Sequence, residues 1–346
     1  MKISVVMATY NGAQFIEQQL ESLLAQTLAP FELILADDVS DDGTLDIAGR
    51  VLADAPFPVD IYENPQRLGY ADNFLHAAEK ARGDYIAFCD QDDVWLPNKL
   101  EVLADWVEKF PSVSLWIHRG KVVDVDLKPL EAFHPNIAAT VVQLPRTGRL
   151  TDRPPGFAMC LDRRLLTNFN WRERPQDLQF PGSRSKHDTW IATLADTIGG
   201  IRYATDVLVL YRRHGKNFSA FRKGSNLSRR LGQLRDAFRP PRREGIATLL
   251  EGLKQHAEYF EAAVDTRPED EEVLLQQALR YRNAAETARR RLALLDAGGA
   301  RSVSILFGGL RDGRYRQDGR MDKRALVQDV VTTLRNLCRL ESRGER

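Results

Sequence analysis

Residues 84–97 read DYIAFCDQDDVWLP. The apolar run Tyr85 to Cys89 has the length of a buried strand, and the pattern PNKLEVLADWVEKF that begins at Pro97 is helical. Between them the chain sets acids at Asp90, Asp92 and Asp93. Ionised carboxylates so close together repel, so the cluster requires an explanation. If strand geometry persists, Asp90 and Asp92 point one way and Asp93 the other. The resulting D-x-D pair offers hard oxygen ligands suited to Mn2+ or Mg2+, with open coordination positions that fit diphosphate oxygens. The same acids also fit a plainer role as turn and N-cap groups before the helix, with Pro97 in its first turn.

Upstream, short apolar runs alternate with helical patterns. KISVVMAT predicts a buried strand ending at Thr9, and Asn11 is a candidate cap for a helix striped by Ile16, Leu20, Leu23 and Leu24. ELILADD is a second strand, LDIAGRVLAD a second helix and VDIYEN a third strand. Phe74, Ala77, Ala78 and Ala81 stripe a third helix that Gly83 is expected to stop. The order βαβαβαβ predicts a mostly parallel sheet covered on both faces, with ligands bound beyond the carboxyl ends of its strands. Thr9, Asp37, Asp38 and Asp90 all fall at those ends.

Residues 111–221 are less regular, with strand-like runs in VSLWIHRGKVVDV and DVLVLYRRH between Pro and Gly loops. Beyond them the chain turns helical. Ile246, Leu249, Leu250, Leu253, Ala257 and Phe260 form one stripe, and Leu274, Ala278, Tyr281, Ala285, Ala288, Leu292 and Leu295 a heptad seam. This predicts a helical hairpin that packs on the body or on a second copy in a homodimer. A last helix, about residues 322–341, sets Leu326, Val330, Leu334 and Leu337 on one side and Arg324, Arg335 and Arg339 elsewhere. It reads either as a helix docked on the domain with a solvated basic face or as a peripheral contact with the cytoplasmic membrane.

Composition bounds the partners. With 346 residues, 43% of them hydrophobic, the chain can bury one large core plus an appendage. Residues 222–346 hold 26 Lys+Arg against 18 Asp+Glu, a net of +8, while the remainder holds 23 against 30, a net of −7. A basic tail on an acidic body points to an anionic surface. Aromatic residues do not interleave with the tail's arginines as a stacking platform needs, so nucleic acid is not expected. Cys89, Cys160 and Cys338 are too few and too scattered for a disulfide framework or a zinc cluster. Without a long apolar run or the regions of a signal peptide, the expected location is cytoplasmic, with a candidate place on the inner face of the membrane.

The ordered set of a strand ending in Thr9-Tyr10-Asn11, then DDVSDDGT (37–44), NPQRLGYADN (64–73) and DQDDVW (90–95) resembles the signature of the family 2 glycosyltransferases of the GT-A fold. The resemblance implies an α/β, Rossmann-like mixed sheet, mostly parallel, with a C-terminal α-helical extension. Its catalytic domain would span 1–221, with a nucleotide-sugar half (1–110) and an acceptor half (111–221), followed by a helical region over 222–346. Donor contacts are implied for Thr9, Tyr10, Asn11, Asp37, Asp38, Arg67, Gly69, Asn73, Asp90 and Gln91, and metal contacts for Asp92 and Asp90.

Later segments carry further implied roles. KHDTW (186–190) is similar to the family's H-D-x-W form and makes Asp188 the base, with His187 standing where the family pattern has Glu; locally Asp188 reads equally well as a helix N-cap. PPGFAMCL (154–161) looks like the family's glycine loop, in which Gly156 admits the backbone to a sugar. YRRHGKNFS (211–219) resembles its closing segment, with His214 reaching metal or diphosphate and Arg212, Arg213 and Lys216 forming a phosphate clamp. The implied activity is inverting, metal-dependent transfer from a UDP- or dTDP-type donor to a glycan or lipid-linked acceptor in bacterial cell-surface polysaccharide synthesis. Because DQDDVW with a helical extension resembles rhamnosyltransferase-type enzymes, dTDP-rhamnose stands beside UDP-hexoses as the donor.

Other classes fit less well. A dinucleotide oxidoreductase needs G-x-G-x-x-G after the first strand, and MATYNGAQF offers only Gly12. A D-x-D-G-T phosphatase would need its nucleophilic Asp where SDDGT has Ser40. A non-catalytic interaction protein on the same scaffold remains, since fold alone does not secure function.

Overall fold

The computed structural model describes residues 1–180, 182–215, 242–297, 299–312, 316–317, 320–321 and 323–344. The chain divides into two compact units, Met1–Arg174 with Ser185–Asn217, and Pro175–Arg184 with Phe218–Arg346. The side chains of Lys216, Arg324, Arg335, Leu337 and Arg339, all singled out above, lie outside the described set.

In the first unit the order is β1 (Ile3–Thr9), α1 (Ile16–Leu24), β2 (Glu32–Asp37), α2 (Thr44–Val51), β3 (Val59–Glu63), α3 (Tyr70–Glu79), β4 (Tyr85–Cys89) and β5 (Val94–Trp95). There follow α4 (Lys99–Lys109), β6 (Leu115–Val123), β7 (Pro129–His134), β8 (Val141–Gln143), β9 (Met159–Asp162), α5 (Arg164–Thr167), α6 (His187–Ile198) and β10 (Ile201–Arg212). One sheet runs β3-β2-β1-β4-β9-β6-β10-β5, with β7 beside β6 and β8 beside β10. Its first four strands are parallel, as the alternation predicts. β9 is then inserted antiparallel between β4 and β6, and β10 runs parallel to β6. β1 and β2 are buried along almost their whole length, because helices cover both faces of the sheet.

Three local expectations are corrected. Asn11 does not cap α1: the helix begins at Ile16, after Phe15 and Ile16 have both donated to the Gly12 carbonyl. Gly83 does not end α3, which stops at Glu79. It is glycine because a Cβ would lie 2.6 Å from Ser4 Oγ and 2.8 Å from the Lys2 carbonyl. Pro97 precedes the helix it was expected to open, since α4 starts at Lys99 after Asn98; Val94 and Trp95 pair instead with β10.

The second unit is helical: α7 (Arg243–Thr266), α8 (Glu271–Asp296), α9 (Gly299–Arg311) and α10 (Lys323–Gly344), with a short β11 (Arg316–Gln317) and β12 (Arg320–Met321). α7 and α8 form the expected hairpin over Ile246, Leu253, Ala257 and Phe260 against Leu274, Ala278, Tyr281 and Ala288, all buried. Segment 175–184 packs on α7, where Gln176 Nε2 donates to the Thr248 carbonyl at 3.0 Å. α10 departs from expectation: Gln328, Asp329, Thr332, Thr333 and Asn336 are buried, whereas Leu334 is 56% exposed. Among the described residues no helix is long and apolar enough to cross a membrane.

Candidate active site

The carboxyl ends of β1, β2 and β4 meet as the sequence predicts, and each arriving group is tied by the protein's own atoms. Thr9 is buried and its Oγ1 donates to Asp37 Oδ1 at 2.7 Å; the same carboxylate accepts from Ser40 Oγ at 2.6 Å and from the Ser40 N–H at 2.7 Å. Val39 adopts a left-handed φ of 65°, costly for a β-branched residue, as the loop turns Ser40 back onto Asp37. Asp38, 1% exposed, accepts from the Leu68 and Gly69 N–H groups at 2.6 and 2.8 Å. Gly69 reaches that position with φ of 81°. Asn73 is buried between Asn64 and the Ala36 carbonyl. Asn11, at φ 48°, accepts from the Asp41 N–H. Tyr10 is exposed, and the Arg67 guanidinium stands 3.7 Å over its ring.

Gln91 joins this rim to the acidic cluster. Its Nε2 donates to the Tyr10 carbonyl at 3.0 Å and its Oε1 accepts from the Tyr10 N–H at 2.9 Å. A Cβ on residue 12 would lie 2.3 Å from that Oε1, which is why Gly12 follows the motif. Asp90, Asp92 and Asp93 bring one ligand oxygen each to within 4.8 Å of one another. Asp90 and Asp92 are partly open, whereas Asp93 is fully buried. Burial, then the charges of Asp92 and Asp188, push Asp90 up to about 7. Burial and its two acidic neighbours push Asp93 well above the carboxylate range.

From the far end of the unit, β10 delivers His214, whose Nε2 lies 2.7 Å from Asp92 Oδ2. Two carboxylates and an imidazole at the rim form a donor set that fits Mn2+ or Mg2+. Arg212 lies behind them, 2% exposed. Its N–H donates to Asp93 Oδ1 at 2.9 Å, and its side chain to the Asp92 and Val125 carbonyls, both at 2.9 Å, and to Gln18 Oε1 at 2.6 Å. Its guanidinium therefore grips the D-x-D loop from inside.

Asp188 sits in the first turn of α6, half-buried, with Lys186 as the N-cap. Its influence on Asp90 places the two acids within electrostatic reach. His187 is 4% exposed, stacked at 4.4 Å on Phe74 with Phe88 and Tyr70 edge-on, and neither ring nitrogen meets a hydrogen-bond partner among the described residues. Burial holds this imidazole down to about 4, so it is neutral. Gly156 lies against it: a Cβ there would stand 2.4 Å from His187 Nε2.

Residues 4–165 match the family model described as glycosyl transferase family 2. This is a family 2 glycosyltransferase domain. The chain is 28% identical over 229 residues to an uncharacterized glycosyltransferase of Nostoc sp., a match covering 63% of this chain and 66% of that protein. It is 36% identical over 100 residues to the UDP-Glc:alpha-D-GlcNAc-diphosphoundecaprenol beta-1,3-glucosyltransferase WfgD of Escherichia coli, covering 29% and 38%. The chain thus spans two thirds or less of the length of either relative. S. aureus TarS 1–349, solved in complex with UDP-GlcNAc, superposes with a TM-score of 0.52 at 17% identity, covering 93% of this chain and 96% of that one, a likeness of fold. The fold of the glycosyltransferase is GT-A, with a helical C-terminal region.

One residue beside this site was not read from the sequence. Lys99 is fully buried, its Nζ 3.6 Å from the Trp95 ring and donating to the Phe157 carbonyl at 3.0 Å; burial lowers it to about 7. The available signal was periodicity, since Lys99 falls on the same helical stripe as Leu103 and Trp106.

Proposed function

We propose that the chain is an inverting, metal-dependent glycosyltransferase that moves a sugar from a nucleotide-diphosphate donor to a hydroxyl of a glycan or lipid-linked acceptor in cell-surface polysaccharide synthesis. The observation that carries this reading is the convergence, at the carboxyl ends of parallel strands, of Asp90, Asp92 and His214 with Asp188 in electrostatic reach. Mn2+ or Mg2+ held by Asp92, Asp90 and His214 would offset the charge that grows on a departing diphosphate. Tyr10, Arg67 and Gln91 form the rim against which the nucleotide lies, and Thr9, Asn11, Asp37, Asp38, Gly69 and Asn73 hold that rim in shape. Asp188 takes the proton of the acceptor hydroxyl as its oxygen attacks the anomeric carbon, and a base so placed supplies ~10²- to 10⁴-fold. Gly156 and His187 set the position of the helix turn that carries it.

A UDP-hexose donor is supported by the name of the E. coli relative, whose match covers 29% of this chain. dTDP-rhamnose is kept beside it on the DQDDVW form. A screen of nucleotide sugars for slow donor hydrolysis with Mn2+ separates them. Calorimetry of UDP and dTDP with and without Mn2+ tests the reading itself, and absence of binding under both conditions would favour a non-catalytic protein on this scaffold.

A further inference from the structure

Asp188 rides on a helix start that no side chain caps. Lys186 is the N-cap of α6, extended at φ −68° and ψ 160°, and makes no side-chain cap hydrogen bond. The first turn is closed by the Trp190 N–H, which donates to the Lys186 carbonyl at 2.8 Å. The chain leaves the first unit after Arg174, gives residues 175–184 to the second, and returns at Ser185, three residues before Asp188. Within that excursion Gln176 bridges to Arg184, and the Asp177 N–H donates to the Ser183 carbonyl at 2.8 Å. In the first unit its neck is held by Arg174, whose side chain is 2% exposed. Nε donates to the Ser185 carbonyl at 2.6 Å, Nη1 donates to the Trp171 carbonyl at 3.0 Å, and Nη2 pairs with Asp72 of α3. The stretch before it is fastened to the same helix: Trp171 Nε1 donates to Glu79 at 2.7 Å, and Arg172 pairs with that carboxylate. Asp72 and Glu79 stand two turns apart on one side of α3, the helix that also carries Phe74, on which His187 stacks. Burial dominates the lowering of His187, and Arg174 adds to it against the opposing charge of Asp188, so the guanidinium lies within electrostatic reach of the turn that bears the base.

We propose that Arg174 is a positioning residue for the base: by tying the Ser185 carbonyl to Asp72 and to the Trp171 carbonyl, it fixes the first turn of α6 against α3 and so sets where the Asp188 carboxylate stands. The inference rests on the reading of Asp188 as the base. A charge this deeply buried meets neither donor nor acceptor, so its effect passes through the backbone from Ser185 to Asp188. Burying a guanidinium is costly unless its donors are met, and here they are met by the two ends of the neck and by the helix beneath. The planar fork matters as well. A lysine would keep the charge beside Asp72 but has no rigid pair of donors to hold that carboxylate and the Ser185 carbonyl together.

The test has two arms, both on the full chain. Native-state hydrogen exchange compares the peptide over residues 186–191 with that over β1. Arg174→Gln should speed exchange in the first by ~tenfold or more and leave β1 unchanged, with Arg174→Lys in between. Arg164→Gln, at an arginine 75% exposed in its ion pair with Asp162, should change neither. The second arm measures transfer or donor hydrolysis from UDP-glucose with Mn2+, expressed per UDP-binding site counted by calorimetry, so that unfolded protein does not enter the rate. Arg174→Gln should lower kcat ~10- to 100-fold, as expected for a misplaced group, with the donor KM within about twofold of wild type. In an Asp188→Asn background the same substitution should cost less than about twofold more, because no base is left to place, whereas a merely structural role would add its full loss. Unchanged exchange over 186–191, equal acceleration over β1, wild-type kcat in Arg174→Gln, or an additive loss in the double variant would overturn the proposal. Near-normal turnover by Asp188→Asn would overturn the reading of the base and this inference with it. That outcome is distinct from failure of the inference alone, in which Asp188→Asn loses turnover and Arg174→Gln does not.

Discussion

Gly156→Ala probes how the glycine loop and the base-bearing helix are fitted together. The new Cβ would stand 2.4 Å from His187 Nε2, against the ~3.5 Å of ordinary contact, so something must move by about 1 Å. His187 has little room to yield, being stacked on Phe74 at 4.4 Å with Phe88 at 5.2 Å and Tyr70 at 5.9 Å. The loop is restrained as well, because Lys99 holds the Phe157 carbonyl. Overpacking of this kind costs ~1–3 kcal/mol, and with both sides held the upper half of that range is expected. His187→Ala empties the space, trading a lost ring against two relieved nitrogens. In the double variant the added methyl enters that space, so the combined loss should fall short of the sum by ~1.5 kcal/mol or more. Urea denaturation of the four proteins measures the cycle. Additivity within ~0.5 kcal/mol, or a Gly156→Ala loss below ~0.5 kcal/mol, would refute the proposed fit. In turnover assays, a shift of His187 carries Asp188 with it, so kcat should fall more than the KM for donor rises.

Asp188→Asn should retain nucleotide binding by calorimetry and lose ~10²- to 10⁴-fold in transfer; near-normal turnover would remove Asp188 from the role of base. Because Asp90 is pushed up to about 7, protons compete for the cluster, and apparent Mn2+ affinity should fall up to about tenfold per pH unit below 7 and level off above it. The linked stability has the opposite sense without metal: between the ordinary carboxylate pKa and about 7 the native state holds more protons than the unfolded one, so stability declines as pH rises through that window. Melting curves with and without Mn2+ at pH 6 and 8 check both, and a Mn2+ stabilisation no larger at pH 8 would contradict the argument. Arg212→Lys keeps the charge but cannot reach three acceptors at once, so it should cost ~2–4 kcal/mol of stability and weaken Mn2+ binding, whereas a merely electrostatic role would be preserved.

Much of the first ninety residues was legible because a parallel sheet is built from local signals. The apolar runs of β1, β2 and β4 are strands buried on both faces, with β3 half-open at the sheet edge, each stripe is a covering helix, and short connections force the acids after them to one edge. What periodicity does not encode is close approach. Asn11, Gly83 and Pro97 were read as helix punctuation, yet Gly83 is glycine because the Lys2 carbonyl and Ser4 crowd it from a strand 79 residues away in sequence. The same limit hid the true surroundings of the site. Asp37 and Asp38 look like acids offered to a ligand, and only the folded chain shows their oxygens already met by Thr9, Ser40, Leu68 and Gly69. Of the two readings of α10, the docked one set its leucines inward; in the structure Arg291, 38 residues away, pairs with Asp329, and the buried side of the helix is the polar one that carries Gln328, Asp329, Thr332, Thr333 and Asn336.

These long-range contacts also answer how three acids persist in four positions. Repulsion would splay a free loop, but the D-x-D segment is held from several directions: Gln91 clamps it to the Tyr10 backbone, Arg212 holds the Asp92 carbonyl and Asp93, and Trp95 is locked into β5 by its N–H to Ser22 Oγ. Lys99 adds a positive charge beneath that partly compensates Asp90 and Asp93. With the backbone fixed by neutral and cationic donors, the remaining repulsion falls on the two rim carboxylates, Asp90 and Asp92, beside His214. A cation binding there relieves that strain without first having to order the loop, so its binding energy is not spent on folding the site. It follows that loosening a clamp, as in Gln91→Ala, should weaken metal binding without removing any ligand.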